Sequence, residues 1–382
     1  MAISISLIHR AHYHYFKTVG VLALLLLVAC SSPQPETAPK PPALGQSSQD
    51  TLLIVTADHG FQTSDIRTID LATGKANGHY DRPSSDVTMI RVPGGSDRIY
   101  VVNSTASNIQ VISRKTGKTI AQHSVGRNSL PQDILIWDDS NAFISLGRSH
   151  DLLQVRFEQG AMNTLHSVSL RGLAPGAVDF PGMYRMTRVG DRLLVQLQRL
   201  HYWEPAADAV LAVLNVANQT AVLEKTIPLH FRNPFSDFKR GPDGSLYTAQ
   251  AGSWNDNGDG GIEKINSQLT ASEVVVDGKS LGGDPEDFEI LGETLGVAVI
   301  APTMATRQLV SFDPVKKKKI ADLTPVLTYP SLCGVVYDRS RHLLYVCDRS
   351  LYSHRIRILN QDLRENSVFG FDLPPWLLVL AD

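Results

Sequence analysis

The residues of this chain best suited to chemistry are carboxylates that follow prolines. Asp86 and Asp237 stand third after Pro83 and Pro234, and Asp133 and Asp287 stand second after Pro131 and Pro285. A ring of such acids would bind a cation or raise the pKa of one member. Placed singly where a turn enters a strand, each would instead accept backbone N–H bonds. One string has cation-ligand spacing: Asn255, Asn257, Asp259 and Glu263 place oxygen side chains at its first, third, fifth and ninth positions, with Gly258 and Gly260 between them. A backbone carbonyl at the seventh position would complete a loop suited to Ca²⁺. Asn at two positions where Asp is usual weakens it, and Asn-Gly and Asp-Gly are equally ordinary turn signals. The chain has no GxSxG elbow, no HExxH, no phosphate-binding glycine loop and no paired-cysteine zinc spacing.

What must position these groups is a repeat. Pro83, Pro131, Pro181, Pro234, Pro285, Pro330 and Pro375 recur at intervals of 45 to 53 residues. Each opens a short apolar stretch, and six are followed by a polar turn and a second strand: IYVVN, AFISL, LLVQL, LYTAQ, LGVAVI, LLYVC. The seventh, Pro375, stands near the C-terminus, and its missing partner, LLIVT, lies at residues 52–56. Strand-rich self-similarity at this period predicts an all-β, seven-bladed β-propeller over residues 51–382. Blade 1 would be closed by the C-terminal strand WLLVL, which leaves no open sheet edge. Within a blade the strands are lettered A to D from the axis outward, with A beginning at the proline.

The A strands line the channel, which would put Asp86, Asp133, Asp237 and Asp287 near its mouth. The B–C and D–A loops share the top face, and the long ones belong to blades 4 and 5: QRLHYWEPAADA, AGSWNDNGDGG, LHFRNPFSD and DGKSLGGDPED. They predict a ligand- or partner-binding patch of Arg199, His201, Tyr202, Trp203, His230, Phe231, Arg232 and Trp254, since long loops rich in aromatics and Arg on a rigid scaffold suit recognition. Some of these rings would equally serve to plug the loops onto the blades. Other B–C loops add His59, Phe61, Arg148, His150, Arg307, Arg349, Tyr352 and His354.

The N-terminus carries an address. Arg10 and Lys17 precede the apolar run VGVLALLLLVA, the pattern of a signal peptide over residues 1–29. Cys30, which follows it directly, would be either a site of lipid attachment or a chance cysteine behind an ordinary signal peptide, and the apolar run could also be an uncleaved anchor. His9, His12 and His14 fall in the segment to be removed and receive no role. Residues 30–50, with five prolines and no strand pattern, read as a tether of up to roughly 60 Å if extended. The whole chain has formal net charge −2, and loss of the leader, which contains no acid, takes it further negative. That is no electrostatic case for nucleic acid. Cys333 and Cys347 fall on strands A and B of blade 7. A hairpin centred near Ser340 sets them opposite one another, as a disulfide in an oxidising compartment or as two buried thiols.

Leu27-Val28-Ala29-Cys30 resembles the bacterial lipobox, which implies diacylation of Cys30 and a membrane lipid anchor. Ser31, where Asp would favour inner-membrane retention, implies the outer membrane. Residues 99–134, from IYVVN through IQVIS and KTGKT to the VGRNSLP step, resemble the YVTN-type propeller repeat, with partial matches elsewhere along residues 52–380. The 255–263 string resembles the calcium hairpin loops of some propellers. Together these resemblances imply a tethered propeller lipoprotein that binds through its top face. Its sharpest form resembles surface lipoproteins that pass a cobalamin or metal chelate to a TonB-dependent transporter. Two alternatives stay open: a lactonase- or lyase-like enzyme with a divalent metal on Asp133, Asp237 or Asp287, and a periplasmic assembly scaffold.

Overall fold

Short runs of Val, Ile, Leu and Tyr broken by Asp, Gly and Asn turns favour antiparallel meanders. In the computed structural model, which describes residues 51–381 apart from 78–79, 84–85, 177–178, 218–219, 255, 325–330 and 352, they form seven four-stranded antiparallel sheets in a ring. The fold is a seven-bladed β-propeller. Its inner A strands are Val87–Arg91, Pro131–Ile136, Met183–Val189, Lys239–Arg240, Asp284–Gly292, Leu332–Asp338 and Pro375–Ala381. The inner strand of blade 5 is the shortest, extended only by an isolated bridge between Pro234 and Gln250. The expected leader, Cys30 and the expected tether, within residues 1–50, lie outside the described residues. Among the described residues no helix is long and apolar enough to cross a membrane.

Ring closure follows the pattern of the prolines. Thr51–Ala57 pairs on one side with Ser64–Asp70 and on the other with Pro375–Ala381, in register from Thr51 opposite Ala381 to Val55 opposite Leu377. Blade 1 therefore joins both ends of the described chain in one sheet. The core lies between blades, where the B and C strands of neighbours meet. In one such cluster Tyr100, Phe143, Ile144, Val195 and Leu214 from blades 2, 3 and 4 are buried together.

A bulge recurs where A meets B. The register shifts by one residue at Thr88 in blade 2, Gln132 in blade 3, Tyr184-Arg185 in blade 4, Glu286 in blade 6, Cys333 in blade 7 and Trp376 in blade 1. A bulge adds an unpaired residue and re-aims its side chain. It also corrects the expectation for the cysteines. Cys347 lies opposite Gly334 and Leu332 opposite Asp348, so Cys333 is the extra residue rather than a directly opposed one. The two sulfurs are nevertheless bonded, with the Cα atoms 5.3 Å apart.

Candidate functional site

The channel acids do not form a free ring. Asp133, fully buried, accepts the N–H of its own neighbour Ile134 at 2.8 Å and that of Met186 on the next blade at 2.9 Å. Asp287 repeats this with Phe288 and with Val335 of the next blade, both at 2.9 Å. These aspartates stitch one inner strand to the next. Asp237 accepts from Phe238 at 2.9 Å, but its other contacts are with Arg91 of blade 2. The Arg91 guanidinium also holds Asp133 at two points, 2.9 and 2.7 Å. On the far side Lys239 lies 3.0 Å from Glu289 and 3.4 Å from Asp287. Asp86 stays apart, one residue before its strand, and accepts from the Thr105 hydroxyl at 2.7 Å.

Charge in the channel is therefore largely matched. Burial disfavours the Asp237 carboxylate, but Arg91 outweighs it and holds that group below the usual range. Burial likewise opposes the Lys239 ammonium, and Asp287 with Glu289 outweighs it and holds the group high. Asp133, Asp237 and Asp287 are thus anchored by Arg91 and Lys239, two residues that the proline-based pattern does not single out. Their signal was there: Arg91 ends VTMIR and Lys239 lies in DFKR, both inner-strand positions that face the axis. Above them Arg185 donates to the carbonyl oxygens of Gln132 and Thr88 and to the Tyr184 hydroxyl, so it spans blades 2, 3 and 4.

In its described residues the glycine-rich string acts as a donor loop. The N–H groups of Gly258 and Gly260 point at Asp284 of blade 6, at 2.9 and 2.7 Å. A Cβ on Gly260 would fall 2.3 Å from the carbonyl oxygen of Gln250, and one on Gly278 would fall 2.6 Å from Asp284, so backbone approaches the carboxylate only because these residues are glycine. Glu263 is buried on its strand and turned away, accepting from His230 Nδ1 at 2.9 Å and from the N–H groups of His230 and Phe231. Asn257 donates to the Pro302 carbonyl, and Asp259 accepts the Ser253 N–H. Asn255 lies outside the described residues. The loop gathers N–H groups around an anion where the calcium reading needed oxygens around a cation. Among the described residues no three His, Cys, Asp or Glu side chains are grouped to hold a metal.

The top-face patch over blades 4 and 5 is brought together, with unequal roles for its members. Arg199 faces inward, donating to the carbonyl oxygens of Leu173 and Asp208. Arg232 pairs with Asp208 at 3.0 Å and ties the two long loops to each other. His201 contacts Asp179 at 2.6 Å. Phe231 packs over Gly261, where a Cβ would fall 2.2 Å from its ring. These residues hold the loops; others are presented. Leu200–His201 and Glu204–Pro205 form a two-residue hairpin whose tip is Tyr202-Trp203. Tyr202 is 83% exposed. Trp254 Nε1 donates to the Trp203 carbonyl at 2.9 Å, and Arg148 approaches the Trp203 ring at 5.8 Å. From Trp254 an aromatic column descends through Phe235 (5.4 Å) and Tyr184 (5.9 Å) to Arg185 in the channel.

The fold is shared with solved structures. The chain is similar to a 6-phosphogluconolactonase candidate from Bacteroides fragilis (TM-score 0.61, 13% identity, 88% of this chain and 98% of that one). It is similar also to a quinonprotein alcohol dehydrogenase-like protein from Bacteroides thetaiotaomicron (0.57, 13%, 87% and 78%). A third is the dihydro-heme d1 dehydrogenase NirN in complex with DHE (0.51, 10%, 90% and 77%). At these identities the likeness is one of fold. No protein-family model matches the chain, and no curated protein sequence does.

Proposed function

We propose that this protein is an envelope-tethered β-propeller that binds a ligand or partner through the top face of blades 4 and 5. The observation that carries this reading is the conformation of the hairpin tip. A two-residue hairpin of this kind takes positive φ at both central residues, which is why Asn-Gly is the favoured pair. Here the tip is Tyr202 at φ 47° and Trp203 at φ 80°, with Arg199 at 54° just before. Bulky residues in the left-handed region are strained, and such strain clusters where function requires the side chains. The neighbouring loops are cross-braced by Arg199, Arg232 and Trp254, so the two rings are held in place before anything binds.

The lipobox-like LVAC and the proline-rich segment after it support an outer-membrane lipid anchor at Cys30. In the sharpest form of the proposal the propeller captures a metal chelate or tetrapyrrole for a TonB-dependent transporter. An enzymatic reading is less favoured, because Asp133, Asp237 and Asp287 already accept from Arg91, Lys239 and strand N–H groups. The test is a thermal-shift panel of the full-length protein in detergent against haem, cobalamin and ferric chelates, for wild type and Tyr202→Asn/Trp203→Gly. A midpoint rise in wild type that the double variant loses supports the reading. Equal shifts in both proteins sink this placement of the site. No shift with any probe refutes small-ligand capture, and cross-linking from position 202 in intact membranes then decides whether a protein partner binds there.

A further inference from the structure

Among the described residues, buried arginines have acceptors, with one exception. Arg341 pairs with Asp338 at 2.8 Å and Arg357 with Asp348 at 2.8 Å, and even the half-buried Arg91 holds Asp133 and Asp237. Arg185 has three oxygen acceptors. Arg349, only 6% exposed, has no hydrogen-bond or ion-pair partner for its guanidinium among the described residues, and its Nη1 is buried. It is the next-to-last residue of strand B of blade 7 and lies directly opposite His354 on strand C, whose Nε2 is likewise buried without a partner. His59, from the B–C loop of blade 1, brings its ring to 5.6 Å from that of His354. Three potential donors thus converge at the top of the blade 7–blade 1 junction.

The walls of the junction leave the edge of the guanidinium for an acceptor. Its central carbon lies 4.7 Å from the Phe61 ring centre and 5.0 Å from that of Trp376, and the two rings meet edge to face. Rings satisfy a guanidinium through its faces; its N–H groups point outward in its plane, in the fork that matches carboxylate and phosphate oxygens. The acid whose field reaches Arg349 is Asp58. It stands beyond ion-pair distance, with Oδ1 already accepting from Gln62 and Thr63. Burial pushes Arg349 down to about 10, with Asp58 only partly opposing it. A buried, unpaired guanidinium is costly, and a buried donor without an acceptor calls for an explanation.

We propose that Arg349 and His354, walled by Phe61 and Trp376 and flanked by His59, form a binding site for an oxyanion, the carboxylate or phosphoryl group of a small ligand. The site is separate from the blade 4–5 platform and does not depend on it. The experiment is thermal unfolding of the full-length protein in detergent, titrated with inorganic phosphate and, in a second arm, with citrate, at constant ionic strength held with sodium chloride. The expected result is a rise in midpoint of at least about 2 °C with one or both anions in wild type. The arm that responds names the anion class. Arg349→Met is expected to abolish the response while raising the anion-free midpoint, because it removes an uncompensated charge. A purely structural arginine would do the reverse, lowering the midpoint and leaving the anion response intact. Should that variant not fold, Arg349→Lys keeps the charge without the fork, and its affinity by direct titration is expected to fall at least tenfold. No anion response in wild type, or a response that survives either substitution unchanged, overturns the site.

Discussion

Arg91 Nη1 donates to Asp237 Oδ2 at 2.7 Å, a bond that crosses the channel from blade 2 to blade 5 and joins residues 146 positions apart in sequence. The same guanidinium holds Asp133 of blade 3, so one side chain braces three blades. Arg91→Met leaves Asp133 as a buried carboxylate with N–H donors but no cation. Breaking such a pair is expected to cost about 3 kcal/mol, measured by urea unfolding at pH 7. Asp237→Asn should cost less, because Asp237 is partly exposed. Combining Arg91→Met with Asp133→Asn should restore part of the loss, since the two changes act on one network.

Two acids are expected to give pH dependences of opposite sign. The Asp237 pKa is depressed on folding, so its contribution is present above the unfolded value, near 3.9, and disappears as pH falls through the folded value. Asp284 goes the other way. Burial pushes it up to about 6 against the two glycine N–H bonds that lower it. The folded state then holds a proton that the unfolded state has released, and stability falls as pH rises from about 4 to about 6. Asp284→Asn removes that titration. The stability difference, wild type minus variant, should therefore shrink between pH 4.5 and pH 7 in denaturant midpoints. A difference that stays constant or widens would show that Asp284 does not titrate there.

How far this site could be read from sequence depends on backbone register. The proline period and the WLLVL–LLIVT pairing are periodic signals, and both the blades and their closure were legible in them. The bulges were not, because one extra residue at Thr88, Gln132 or Cys333 leaves the apolar alternation of its strand almost unchanged. That slip decides where the acids point and moves Cys333 out of direct opposition to Cys347. The string at 255–263 turns on a related point. Glycine spacing specifies a tight loop, but whether the loop turns oxygens or N–H groups inward depends on what the neighbouring blade presents, here Asp284. Arg91 and Lys239 were visible as residues, yet their partners lie one or more blades away and no local pattern names them.

The Cys333–Cys347 bond staples the two inner strands of blade 7 beside the strand that closes the ring. Cys347 is fully buried with Tyr345, Ile356 and Leu378, and Cys333 packs against this cluster. The bond spans 14 positions, and a loop of this length restricts the unfolded chain by about 3 kcal/mol. Replacing both cysteines with Ala is expected to lower stability by about that amount, and reductant should lower the unfolding midpoint of wild type but not that of the variant. An equal response of both proteins to reductant would show that the bond does not form in solution.

The hairpin tip offers a test in which stability and binding move in opposite directions. Left-handed φ costs an L-residue roughly 1–2 kcal/mol, and Tyr202 and Trp203 both adopt it. Asn-Gly suits this turn without strain. The double change Tyr202→Asn/Trp203→Gly loses the Arg148 contact to the Trp203 ring, worth about 0.5–1 kcal/mol at an exposed site. It also loses the edge-to-face contact of Tyr202 with the His201 ring at 4.4 Å and the packing of the half-buried Trp203 ring, while the bond from Trp254 to the backbone carbonyl of residue 203 can persist. The balance is a gain of about 1 kcal/mol, or about 2 °C in unfolding midpoint for a domain of this size. The same variant should lose whatever the top face binds, because the rings are gone while the loop keeps its shape. A surface that exists for recognition trades stability for activity in this way. If the variant unfolds at a lower temperature than wild type, the rings are loop plugs, and the strain at residues 202–203 is then compensated by packing within the propeller.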